Sequence, residues 1–319
     1  GWDSTLSIGM IALGAVGIIA FILAERAAKH EALLPLSLFK SRTFSMSTIL
    51  GVIIGVGMFG GMMTLPLVLQ IVTGATPTEA GFMMLPMVAG MMTATIISGQ
   101  VTSRKIFMVT GSGILMLGYL YLTSYNPDMP YWQVSIGMVM MGLGLGQLMQ
   151  TLVLAAQNSV PASEIGVATS SATFFRQMGG TLGVAVFISI LFNSLGDTIG
   201  NAFKNKDVQA GIAEAVQDPA VLADPKNLEF VQAIKSGEMG SFADRLSTDS
   251  SFLSTLDPRL ARPFLVGFAD SSVLVFGSAA AVVAIAFALS FFLKAPPLRT
   301  KSAVQEKADE EAAKLAAMH

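Results

Sequence analysis

The chain has 319 residues, of which 53% are hydrophobic and 13% charged, with mean hydropathy +0.65. Soluble domains carry about 25% charged residues, so most of this chain is made for a lipid solvent. A formal charge of −2 excludes a basic face for nucleic acid, and the absence of cysteine excludes disulfides and thiolate metal sites. Two histidines, His30 and His319, leave little for a metal cluster. No phosphate loop, G-x-S-x-G elbow or H-E-x-x-H pair is present, so neither an enzyme nor a cofactor is expected. The chain begins at Gly1 without methionine or signal peptide and reads as cut from something longer.

Roughly 20 apolar residues cross a bilayer as a helix, and seven segments qualify. They are Leu6–Leu23, Phe44–Val68, Gly81–Gly99, Ile106–Leu122, Val134–Leu154, Ala172–Phe192 and Leu265–Leu293. This predicts an all-α membrane protein with a linker helix (1–24), a cytoplasmic connector (25–43) and five spans of a bundle (44–195). An extracytoplasmic insertion (196–262), a last span (263–294) and a cytoplasmic tail (295–319) follow.

Orientation follows from the short connections, because lysine and arginine stay on the cytoplasmic side. Arg26, Lys29, Lys40 and Arg42 lie in the connector, and Arg104 and Lys105 in the next turn on that side. The turns Thr73–Glu79 and Ser124–Tyr131 carry no basic residue. The insertion therefore falls outside, and the tail, with Lys294, Arg299 and Lys301, falls inside. Tyr125, Tyr131 and Trp132 fit an outer aromatic belt. Within the insertion Val208, Ile212 and Val216 recur at helical spacing, Pro219 and Pro225 interrupt, and Leu228, Val231 and Ile234 resume, predicting short helices. Asp257-Pro258 is a helix start, with a capping side chain followed by a first-turn proline.

Polar residues inside spans are the functional candidates, since lipid cannot satisfy them. Gln147, Gln150 and Thr151 sit at i, i+3 and i+4, and Gln70 and Asn193 are further candidates for lining a substrate path. Arg176 lies in the sixth span, where a guanidinium costs roughly 2.5–3.5 kcal/mol against lipid and must face protein or water, or snorkel toward headgroups. Asp270, near the outer end of the last span, is either a proton relay or an interfacial carboxylate. Gly142, Gly144, Gly146, Gly179, Gly180 and Gly183 permit close helix crossings and movement, or plain packing. Methionine clusters such as Met83–Met84 and Met91–Met92 offer deformable surface for varied apolar ligands, or face lipid.

Several separated stretches resemble the fourteen-span drug:proton antiporters of the major facilitator superfamily. They are PLSLFKSRTF (35–44), LPLVLQIVTGATPTEAGFMMLP (65–86), GLGLG (142–146), QNSV (157–160), FRQMGG (175–180) and LKAPPLRT (293–300). The resemblance implies the C-terminal half of a transporter: a linker helix and one six-helix bundle. Its partners would be the bilayer, protons, a small lipophilic or cationic substrate and the missing N-terminal half, in the cell membrane. An exporter of an endogenous lipid or siderophore is the alternative within the fold, and a non-transporting scaffold the alternative outside it. One departure is the turn at Arg104-Lys105, shorter than the family's usual gating loop.

Overall fold

The computed structural model describes residues 4–28, 36–100, 104–236 and 251–292. Among them six segments are long and apolar enough to cross a membrane, and Ile106–Leu122 is a shorter apolar helix. Helix α1, Thr5–Ala28, is exposed along almost its whole length, with Ile8, Leu13, Val16 and Ile19 uncovered. It forms no extended contact with another described helix, and its apolar surface suits lipid on every side.

A 3₁₀ turn at Leu36–Lys40 leads into α2, Arg42–Thr73, capped by Ser41 and ended by Gly74 in the left-handed conformation at φ 71°. Only glycine takes up that backbone without a Cβ penalty, so the helix stops there. The expected third span is two helices, α3 (Pro77–Met83) and α4 (Leu85–Gln100), interrupted at Met84. Pro86 is the physical reason, because it has no N–H to offer the Phe82 carbonyl. Thr76 and Glu79 cap α3 reciprocally: the Thr76 amide donates to Glu79 Oε2 at 2.8 Å and the Glu79 amide to Thr76 Oγ1 at 3.3 Å. Next come α5 (Arg104–Leu122), α6 (Tyr131–Gln157) and α7 (Ile165–Ala202).

The extramembrane part holds α8 (Lys206–Gln217), α9 (Pro219–Leu222) and α10 (Pro225–Ser236). The last span, α11, runs Pro258–Ser290, with Asp257 accepting from the Arg259 amide at 2.9 Å, as the Asp-Pro pair indicates. Helix α7 reaches further than expected. Its 38 residues span about 57 Å at 1.5 Å per residue, well beyond the roughly 30 Å of hydrocarbon, so residues 196–202 continue the helix rather than begin a loop.

The helices close into a bundle in the order α4, α6, α5, α11, α7, α2, and α2 also packs on α11 and reaches α6. The main core brings Leu50, Ile54, Leu65, Met141, Phe187, Phe268, Phe276 and Val283 together, all at most 2% exposed. A smaller cluster of Leu38, Phe44, Ala156, Val160, Ala168 and Ala172 ties the connector and the first turns of α7 to the end of α6. Tyr125 departs from the expected belt: it is buried in the core, while Tyr131 and Trp132 are exposed.

Candidate transport face

Helix α7 presents three faces of different character. Ala168, Ala172, Gly179, Gly183, Phe187, Leu191 and Leu195, recurring at three- and four-residue steps or their sums, are buried against the bundle. Phe174, Met178, Leu182 and Val186, four apart, are exposed and apolar. Ser170, Thr173, Gln177 and Thr181 form another stripe, Thr173 half-buried and the other three exposed. An apolar strip suits lipid, but amides and hydroxyls at that depth need protein or water. The hydroxyls of Ser170 and Thr181 bond back to Gly166 and Gln177 carbonyls at 3.1 Å, whereas the Gln177 amide has no intramolecular bond among the described residues.

Arg176 stands at the edge of this stripe. It is half-buried and forms no hydrogen bond or ion pair among the described residues. Its backbone carbonyl lies where a side chain on Gly55 of α2 would be, so α2 and α7 cross at backbone contact. Gly179 and Gly183 continue that crossing: added Cβ atoms would meet Val52 Cα at 2.9 Å and Val56 Cα at 2.8 Å. Gly180 is filled by the ring of Phe59.

The glycines of α6 divide between two neighbours. A Cβ on Gly142 would meet the Met91 amide nitrogen at 2.9 Å and one on Gly146 the Ala94 Cβ at 2.9 Å, both on α4. Gly144 points the other way, with the Gly111 carbonyl oxygen and the Leu115 amide nitrogen of α5 each at 2.7 Å. Thus α6 is held at backbone distance on two sides.

The three polar residues expected together on α6 are separated. Gln147 and Thr151 are buried and Gln150 is exposed. Gln147 Oε1 lies 2.7 Å from the Thr110 hydroxyl, which is also 2.9 Å from the Ile106 carbonyl. One hydroxyl proton cannot serve both acceptors, so the amide is better turned to donate to Thr110 while Thr110 donates to Ile106. Thr151 donates to the Gln147 carbonyl at 2.6 Å. Gln70 is half-buried and donates to the Pro66 carbonyl at 3.1 Å; Asn193 is exposed and donates to Ser189 Oγ at 2.9 Å. Asp270 is exposed on α11, on the side that also exposes Leu274 and Ile285. Its neighbour Ser271 points inward to Thr198 Oγ1 at 2.7 Å. Arg104 and Lys105 open α5, but their side chains and the turn at 101–103 lie outside the described residues.

Two features were not singled out from the sequence. Ser47 Oγ and Thr48 Oγ1 are buried in α2 without a hydrogen-bond partner among the described residues. Tyr119, fully buried in α5, reaches across to the backbone of α2. The available signal was a phenol inside an apolar span, whose hydroxyl must find a partner.

At the extramembrane end of α11 a polar knot holds the insertion. Arg259 bonds Asp218 Oδ2 and Asp257 Oδ1, each at 3.0 Å, and the Asp257 amide donates to Asn227 Oδ1 at 2.9 Å. Arg262 pairs with Asp128 of the turn between α5 and α6. The guanidinium groups hold the carboxyls of Asp128, Asp218 and Asp257 below the usual carboxylate range.

Among the described residues the chain is an all-helical bundle with six segments long and apolar enough to cross a membrane and a polar stripe along one face of α7. The chain belongs to the Major Facilitator Superfamily, whose sequence profile matches residues 1–184. It is 30% identical to the tetracycline resistance determinant of Streptomyces rimosus over 98% of this chain and 88% of that protein. The multidrug transporter protein MdtP of Bacillus subtilis (strain 168) is 32% identical over 98% of this chain and 57% of its own length. The tetracenomycin C resistance and export protein of Streptomyces glaucescens is 27% identical over 98% of this chain and 54% of its own. The chain thus spans little more than half the length of the last two relatives.

Proposed function

We propose that this chain is the C-terminal half of a proton-coupled efflux transporter that moves lipophilic or cationic compounds by alternating access. The observation that carries the reading is the polar stripe of α7 beside Arg176, a surface that lipid would not satisfy and that a facing half or an aqueous cavity would. Relatives named for resistance and export, two of them nearly twice as long, support the same reading. Six spans of one bundle cannot enclose a cavity between two bundles, so the remainder of the carrier is expected from the rest of the polypeptide.

In this reading Gln150, Gln177 and Thr181 line the path, with Gln70 at its outer end, and Arg176 pairs with an anionic group as the cavity changes sides. Asp270 stands away from that face and is assigned an interfacial role. Ethidium uptake into acidified inverted vesicles containing the full-length polypeptide tests it. Loss of a charge-assisted bond, about 1.5–3 kcal/mol, lowers transport by roughly tenfold or more in Arg176→Leu, and Arg176→Lys retains charge but loses the planar fork. Wild-type rates in both variants at equal abundance would leave Arg176 with packing alone.

A further inference from the structure

The centre of α2 is jointed by a side chain from another helix. Tyr119 Oη accepts from the Gly61 amide at 3.1 Å and donates to the Gly57 carbonyl at 2.5 Å. Residues 57 and 61 are the pair that an undisturbed α-helix bonds directly, amide to carbonyl four residues back. The phenol therefore bonds to both groups of that ladder position, and a side chain entering the ladder is one of the few identified causes of a helix bend. Tyr119 is fully buried there and its ring lies beside Phe276 of α11.

The perturbation continues toward the outer end of the same helix. Thr64 Oγ1 donates to the Gly60 carbonyl at 2.7 Å, a back-bond that bends helices, and Pro66 has no amide for the Met62 carbonyl. Three consecutive faults in one turn and a half fall where α2 meets four neighbours. Added side chains on Gly57, Gly60 and Gly61 would strike Val283 of α11, Phe187 of α7, and both Met141 of α6 and Tyr119 of α5. A bend here would swing the outer end of α2, which carries Gln70, against the rest of the bundle.

We propose that Tyr119 is a positioning residue for transport, its hydroxyl serving as the spliced link that lets α2 flex between Gly57 and Pro66. The inference rests on the transport reading, but the joint can be read without it. Removing the hydroxyl leaves the Gly61 amide and the Gly57 carbonyl with each other alone, which should straighten and stiffen α2.

The test is Tyr119→Phe in the full-length polypeptide in lipid nanodiscs, with spin labels on Arg42→Cys and Thr73→Cys; residues 1–319 contain no competing cysteine. The wild type should give a broad distance distribution between the labels, and Tyr119→Phe a narrower one at longer distance. Ethidium transport should fall about tenfold in maximal rate with KM unchanged, since the ring and the cavity wall remain. An unchanged distance distribution overturns the joint. A changed distribution with wild-type transport overturns the positioning role. Should the wild type itself move no ethidium while the distributions differ, the transport reading fails and the joint stands.

Discussion

Replacing Gly144 with alanine puts a single methyl group into the contact between α6 and α5, while α6 is already seated on α4. The new Cβ would lie 2.7 Å from the Gly111 carbonyl oxygen, the Leu115 amide nitrogen and Leu115 Cβ, whereas ordinary contact begins at 3.4 Å. Helix α5 must therefore retreat by about 0.7 Å along that direction. Two of the three neighbours are backbone atoms, so no rotamer change relieves the overlap. Nor can α6 back away, because Gly142 and Gly146 already seat it on the backbone of α4. Overpacking costs about 1–3 kcal/mol, and this site belongs at the upper end; better helix propensity returns up to about 1 kcal/mol. A net loss near 2 kcal/mol is expected, a shift of roughly thirtyfold in the unfolding equilibrium. Gly166→Ala, with nothing within 4 Å of its added Cβ, is the control and should gain a few tenths to about 1 kcal/mol. Equilibrium unfolding in mixed detergent micelles measures both. If Gly144→Ala is as stable as Gly166→Ala, the two-sided clamp on α6 is not rigid.

A cysteine in place of Lys226, exposed at the start of α10, should react with an impermeant maleimide in intact cells; reaction only after permeabilisation would put the insertion in the cytoplasm. Acidification should loosen the insertion. Asp128, Asp218 and Asp257 have carboxyls lowered by Arg262 or Arg259, so their contribution is complete above the unfolded value near 3.9 and is lost as pH falls through the lower folded values. Hydrogen exchange of α8 and α10 should accordingly rise below about pH 4 while α2 remains protected, and equal acceleration in α2 would contradict a locally held knot.

Much of the architecture was legible because its determinants are local. Apolar runs of sufficient length marked the spans, and Asp257-Pro258 marked the start of α11 from two adjacent residues. Pro219 and Pro225 likewise stand at the starts of α9 and α10. Spacing alone misled where the environment of a helix changes around its circumference. Gln147 and Gln150 lie about 60° apart around the helix, and that was enough to set one against α5 and the other in the open. Tyr125 resembled a belt residue beside Tyr131, yet the turn folds it inward. For Tyr119 the buried phenol was legible but its partners were not: Gly57 and Gly61 lie about sixty positions away, and no pattern within one helix announces a bond to another helix's backbone.

The knot around Arg259 has a consequence for assembly of the bundle. Helices α7 and α11 must lie side by side, as Thr198 and Ser271 do, although residues 203–257 separate them in the chain. Closing a flexible loop of that length costs conformational entropy that grows with the logarithm of its length. Among the described residues of that stretch, α8, α9 and α10 are helical, and Asn227 and Asp218 grip the residues where α11 begins. In the folded bundle the start of α11 is thus held at Asp218 and Asn227, which lie much nearer α7 in the chain than α11 does, so the effective loop between the two spans is shortened.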